Sequence, residues 1–456
     1  MSTLDLTTVS AAALARLYRD GAITPSEATD WFLDQIETTT DRAIFIAVTA
    51  ERARREAAAS TARYRTGAPL GPLDGVPIAW KDLFDLAGTT TTAASDIYRS
   101  ALPARTDATV VRNLADAGMV SLGKVNLSEF AYSGLGLNPH FGTPWNPYDA
   151  NVHRVPGGSS SGSAVAVAAG LAPAAIGTDT GGSVRIPAAF NGLVGFKTAE
   201  GGIDKAGVFA LSPTLDTVGP LARTVEDCLL LYSALRGGAP IEARPADVSA
   251  LRLVVPTNIV FDEAEEAVVA NFRALLSKLE RKGAKIIERS ISAFDAIRAT
   301  SRYGNIVAAE AYFAHRHLID SPDVGRIDPR VVSRIMRGAS MSAYDLLALQ
   351  AKRIELQREL TAGLDGALLA FPTVPHTAPA VAPLEADPEL FHAVNIKTLR
   401  NTMLGNFLNL PGFAIPSGVD ANGLPTSILI SAPAGGEPLL FAASLAVESA
   451  MNGERS

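Results

Sequence analysis

A single cysteine, Cys228, in 456 residues has no partner for an internal disulfide, so stability must come from a packed core and not from cross-links. Its setting, Val225-Glu226-Asp227-Cys228-Leu229-Leu230, reads as a helix with the thiol among leucines, a packing cysteine and not a nucleophile. Charged residues are few, at 19%, and the net charge of -7 is spread along the chain. There is no basic run and no aromatic-basic stripe of the kind that follows a phosphate backbone, so nucleic acid is not expected as a direct ligand. Long hydrophobic runs are also missing. The longest, Ala164 to Ile176, is mostly alanine, is broken by Gly170 and Pro173, and falls short of the roughly 20 residues a bilayer span needs. Met1 to Ser10 lack the basic start and apolar run of a secretory signal, so a cytoplasmic protein with no membrane partner is expected.

What is present is apolar material, 47% of the chain, enough for a deep core with little tendency to disorder. Thr24-Pro25-Ser26-Glu27 has the form of a capping box with proline at the first helical position, and Ala28, Trp31, Phe32 and Ile36 follow at helical spacing. A second helix is expected over Ala50 to Tyr64. From Gly75 onward short apolar runs alternate with helical stretches: Val76 to Trp80, Val120 to Gly123, Ala174 to Gly177, Leu193 to Phe196, Leu251 to Val255 and Ile286 to Ile287. That alternation predicts an α/β fold, a mixed and mostly parallel central sheet flanked by helices on both faces. The clearest βαβ unit is Leu251 to Val255, a helix from about 263 to 282, and Ala284 to Ile287. Residues 292–364 read as mainly helical, a candidate cap. Strands resume at Ala367 to Phe371, Phe413 to Ile415 and Thr426 to Ile430 before a terminal helix from about Pro438 to Met451.

The segment that carries chemistry runs from Val155 to Pro187. It contains Pro156-Gly157-Gly158-Ser159-Ser160-Ser161-Gly162-Ser163, an alanine-rich helix, and Gly177-Thr178-Asp179-Thr180-Gly181-Gly182-Ser183-Val184-Arg185-Ile186-Pro187. The glycines let successive amide groups turn toward one point. Ser183, directly after Thr180-Gly181-Gly182, would have free N–H groups beside its hydroxyl, which is what an oxyanion hole requires. A serine hydroxyl still needs a base within reach. The six histidines, His140, His153, His315, His317, His376 and His392, share no motif and read as surface or packing residues. Lys81 ends the apolar run Val76-Pro77-Ile78-Ala79-Trp80 and so projects from a buried strand. Burial can lower a lysine from about 10.4 toward 7 to 8, at a cost of roughly 4 kcal/mol, and make it a general base.

These residues place the chain in a resemblance. Gly71-Pro72-Leu73-Asp74-Gly75-Val76-Pro77-Ile78-Ala79-Trp80-Lys81-Asp82, Asn126-Leu127-Ser128-Glu129-Phe130-Ala131, Pro156 to Ser163 and Gly177 to Pro187 resemble the amidase signature family. The likeness continues through Gly192 to Lys197, Asp216-Thr217-Val218-Gly219-Pro220 and Leu410-Pro411-Gly412, and is strongest over 70–230. It implies a Ser-Ser-Lys triad with Ser183 as nucleophile, Lys81 as base and Ser159 as the bridging serine after a cis peptide bond. It further implies an oxyanion hole from Thr180, Gly181, Gly182 and Ser183, with Ser160, Asp179 and Arg185 supporting the site. Ala131 and Tyr132 would contact a small-molecule amide substrate, and the loop His376 to Phe391 would add walls. The implied organisation is one domain over 1–456, with N-terminal helices in 1–66, a catalytic core in 70–230 and a helical cap or pocket segment in 292–364. No metal or cofactor is implied, and a homodimer is expected by likeness.

Other readings of the same residues carry less. Gly158-Ser159-Ser160-Ser161-Gly162 fits a G-x-S-x-G nucleophile elbow with Ser160 as nucleophile, but that motif should directly follow a hydrophobic strand, and Asn151 to Pro156 is a poor one. No Lys-Ser or Lys-Thr closes the glycine run as a phosphate loop requires, and core-like sequence on both sides argues against a flexible linker. A non-catalytic binding protein would lack a triad member, and all three are present. Within the family, the rival to a stand-alone amidase is the amidase subunit of a tRNA-dependent amidotransferase. Tyr303 to Ala311 lacks the Asp-Gly-Val-Arg-Tyr-Gly type of sequence associated with that subunit, and Ser161 also favours the stand-alone type. Aliphatic amides, arylamides, ureas, carbamates and hydrazides all present the same carbonyl, so the residues do not choose among them.

Overall fold

Thr24 caps its helix as its sequence predicts: its hydroxyl accepts from Glu27 N at 3.2 Å, the Glu27 carboxylate accepts from Thr24 N at 2.8 Å, and the helix runs Pro25–Thr38. The structure is a computed structural model describing residues 4–239 and 241–452; residues 1–3 of the N-terminal segment lie outside the described residues. The second expected helix spans Ala50–Arg65.

Among the described residues eleven strands form one sheet: β1 Phe45–Val48, β2 Pro77–Lys81, β3 Val120–Val125, β4 Ala174–Asp179, β5 Val194–Lys197, β6 Thr217–Ala222, β7 Arg252–Pro256, β8 Lys285–Arg289, β9 Leu368–Pro372, β10 Gly412–Val419 and β11 Pro425–Ser431. Their order is β1-β3-β2-β4-β6-β5-β10-β11-β9-β7-β8. Every residue of β2, β3, β4, β5, β6, β9 and β11 is buried, so both faces of the sheet are covered. The edge strands β1 and β8 are partly exposed. Among the described residues no helix is long and apolar enough to cross a membrane.

The sheet is mixed, but it is not mostly parallel. Parallel pairing is confined to β2 with β3 and β4, and β7 with β8 and β9; among the described residues the other six of ten pairings are antiparallel. Alternating apolar runs and helices do not fix strand direction. β4 and β5 run the same way, as a crossover demands, yet β6 inserts between them antiparallel to both. β10 and β11 need only a short hairpin turn, with Gly423 at φ 81°.

Two strands escaped the sequence pattern. β1 is four residues long between helices, and β6, Thr-Val-Gly-Pro-Leu-Ala, holds a glycine and a proline that argue against a central strand. Gly219 is there for close approach: a Cβ at this position would collide with the Phe196 carbonyl oxygen on β5. Phe196 in turn stacks on Phe413 of β10, centroids 4.2 Å apart. Gly219→Ala is therefore expected to lower stability by about 1–3 kcal/mol through backbone displacement, read as a fall in melting temperature. An unchanged melting temperature would show that β5 and β6 separate freely.

Candidate active site

Lys81 is the last residue of β2 and is fully buried. Its Nζ lies 2.7 Å from Ser159 Oγ and 2.8 Å from Thr178 Oγ1. Burial brings its pKa down to about 7, against the opposing pull of Asp216 and Asp179. Thr178 was not singled out by sequence. It lies on β4, which pairs with β2, so its hydroxyl could be found only once that pairing was known.

The two serine-bearing turns meet because β4 ends between them. Gly158–Ser159 is a cis peptide bond. Ser159 O accepts from Ser128 N at 3.1 Å and Ser161 N at 2.8 Å, so the Asn126–Ala131 motif holds the turn. Ser160 N donates to Ser183 O at 3.3 Å, joining one turn to the other, and Ser160 Oγ donates to Thr178 O at 3.3 Å. Ser160 is thus a buried tie between turns and takes no part in the cavity wall, contrary to the elbow reading.

Asp179 organises the second turn. It accepts from Gly182 N at 2.9 Å, Val184 N at 3.1 Å, Arg185 Nε at 3.0 Å and Nη2 at 2.9 Å, and Asn406 Nδ2 at 2.8 Å. Burial alone would raise its carboxyl, but Arg185, Lys197 and Asn406 outweigh it and hold the group well below the usual range. One expectation is corrected here: the Gly182 N–H is already committed to Asp179, so it cannot point at a substrate oxygen. Those of Gly181 and Ser183 have no protein acceptor among the described residues. A Cβ on Gly182, at φ 134°, would strike Thr402, whose hydroxyl donates to Gly181 O at 2.6 Å. Thr180 donates from Oγ1 to Asp216 at 2.5 Å, and Asp216 also accepts from Leu211 N and Ser212 N. Burial raises Asp216 to about 6, against the lowering effect of those donors. Asn406 and Thr402 escaped the sequence reading because each comes from a segment distant along the chain, and Asp216, though part of a motif that carries the resemblance, had no role assigned to it.

Ser183 opens on a cavity of about 410 Å³ that Ala131, Tyr132, Thr180 and Gly181 also line. A second lobe of about 330 Å³ shares Thr180, Asn305 and Met403 with it. Residues 292–364 supply Asn305, Val307, Arg334 and Arg337 to the wall. The loop His376 to Phe391 lines neither lobe; that side is formed by Ile396, Leu399 and Met403 on the helix Pro388–Phe407. Cys228, His315 and His376 are packing residues, as their sequence context predicts. Cys228 is a fully buried packing thiol whose pKa burial raises. His315 is stacked against Phe130 and Phe209, and His376 bonds Thr377 O and Thr398 Oγ1.

The chain is 37% identical to 2-amino-5-chloromuconic acid deaminase of Comamonas testosteroni, over 87% of this chain and 86% of that one. It is 35% identical to a glutamyl-tRNA(Gln) amidotransferase subunit of Salinispora arenicola, over 98% of each. A crystal structure of an amidase superposes with a TM-score of 0.85 at 30% identity, covering 97% of this chain and 99% of the other. The profile of the Amidase family matches residues 27–441, so the chain belongs to the amidase signature family and is a hydrolase of carbon–nitrogen bonds.

Proposed function

We propose that the protein is a free-standing amide hydrolase that cleaves a small carboxamide to a carboxylate and ammonia or an amine through an acyl-enzyme on Ser183. The observation that carries this reading is the 2.7 Å contact between Ser159 Oγ and a fully buried lysine amine whose pKa is about 7. An uncharged amine has a lone pair to accept a proton, and Ser159 is the hydroxyl placed to deliver it.

In this account Lys81 Nζ takes the Ser159 proton as Ser159 Oγ takes that of Ser183. Ser183 Oγ then forms a bond to the amide carbon, and the carbonyl electron pair moves onto oxygen. The N–H groups of Thr180, Gly181 and Ser183, none of which has a protein acceptor among the described residues, would hold that oxyanion. Collapse breaks the C–N bond, with the proton returning through Ser159 to the departing nitrogen. Water then enters by the same relay and cleaves the ester. Thr178 positions the Lys81 amine, Asp179 and Arg185 fix the turn, and residues 292–364 act as the cap that shapes the pocket.

The 35% identity to the Salinispora protein supports a second reading, in which the chain is the amide-hydrolysing part of a larger amidotransferase. Ammonia release from simple amides by the purified single chain separates the two: activity supports the first reading, and dependence on added partner chains the second.

Two outcomes test the relay. Ser183→Ala should lose all fluorophosphonate labelling and at least about a thousandfold in kcat; normal turnover by that variant would end the proposal. The kcat/KM of the native protein should fall as pH drops through about 7, because Lys81 becomes protonated and cannot accept, and should level off above it. Lys81→Met should cost about 10²- to 10⁴-fold and abolish that acid limb.

A further inference from the structure

Two arginines in the cavity wall have no acidic partner among the described residues. Arg334, on the helix Pro329–Met336, lies over the Tyr132 ring with its guanidinium carbon 4.5 Å from the centroid, and its buried Nε has no hydrogen-bond partner among the described residues. Arg337 follows one turn later and lines the same cavity. Their neighbours differ: Arg330 pairs with Asp328 at 2.7 Å, and Arg326 pairs with Asp96 at 3.0 Å. Arg334 is half-buried and its Nε is the donor left unmet; a buried donor without an acceptor is costly, and the planar fork of a guanidinium matches a carboxylate.

The lobe that holds Ser183, Arg334 and Arg337 includes no aspartate or glutamate in its wall. The adjoining lobe has Asp262, which lies 3.9 Å from Arg298. An ammonium group in the Ser183 lobe would therefore meet cations and no counter-charge.

We propose that Arg334, assisted by Arg337, binds a carboxylate carried by the substrate, so that the protein acts on monoamides of small dicarboxylic acids lacking an α-ammonium group. This rests on the hydrolase reading above and narrows its substrate class. Arg334 supplies the directional, bidentate contact from the wall. Arg337, exposed at the mouth, adds attraction for an incoming anion. Tyr132 keeps Arg334 over the cavity by the face-on contact of its ring.

The test uses the full chain and two probe series: monoamides of three- to six-carbon dicarboxylic acids, and neutral monoamides of matched length, read by ammonia release. The best acid amide should exceed its neutral counterpart by about 10- to 100-fold in kcat/KM, and glutamine should fall below the acid amide of the same length. Arg334→Met should bring the ratio to within about threefold of one, Arg334→Lys should give an intermediate ratio, and Arg330→Met should leave it unchanged. A ratio near one in the native protein, a ratio that survives Arg334→Met, or glutamine as the best substrate would overturn the assignment. In parallel, dicarboxylates should slow fluorophosphonate labelling of Ser183 at concentrations about tenfold or more below those of the matching diamides. Labelling slowed equally by both contradicts the carboxylate site alone, whereas a chain that is neither labelled nor active on any amide contradicts the hydrolase reading itself.

Discussion

Lys81 Nζ has two hydroxyl oxygens within 2.8 Å and no carboxylate bonded to it among the described residues. Asp216 and Asp179 act on it only through longer-range attraction, and burial outweighs them. Lys124 sits 2.6 Å from Asp82 and forms an ion pair. Lys197, like Lys81, has no carboxylate bonded to it among the described residues; it donates to Thr198 O at 2.9 Å, and burial brings its pKa down to about 8. A direct carboxylate partner would favour the charged form of Lys81 and oppose the loss of its proton. The chain keeps its acids one step away from this amine, with Asp179 spent on Arg185 and Asp216 on Thr180.

That arrangement depends on the sheet. β2 carries Lys81, its neighbour β4 carries Thr178 and Asp179, and the chain leaving β4 turns at once into Ser183. The antiparallel β6 brings Thr217, which donates to Asp179 O at 3.0 Å, and the adjacent Asp216. The carboxylate of Asp179 satisfies the backbone of the glycine turn from within and is satisfied in turn by Arg185 and Asn406. Removing Asp179 or Arg185 from this buried set would leave an uncompensated charge, so the turn is built around that pair. Residues 292–364 and the helix Pro388–Phe407 supply much of the pocket wall around this floor.

Much of this was legible in the sequence, for identifiable reasons. Ser183 and Lys81 stood out because a glycine run beside a serine and a lysine ending an apolar strand are each local patterns. Ser159 came from likeness to a family, and its 2.7 Å distance to Lys81 agrees with that likeness. The hairpins and the inserted β6 were hidden because apolar periodicity carries no strand direction, and because Gly219 and Pro220 resemble loop residues. Thr178, Asp216, Thr402 and Asn406 were missed since their partners lie far away in the chain. Gly182 was assigned as a donor from its place in the motif, but its N–H is turned inward by Asp179, a choice that only three-dimensional geometry reveals. Arg334 was one cation among many until its lack of an acidic partner among the described residues could be seen.

The charge on Lys81 decides whether the relay can run, and the most direct measurement is of that charge. Carbon-13 NMR of protein labelled at lysine Cε, titrated from pH 5 to 11, should contain a resonance that shifts with a midpoint near 7 and vanishes in Lys81→Met. If the resonance removed by that substitution titrates near 10 instead, the amine is charged at neutral pH and cannot be the base.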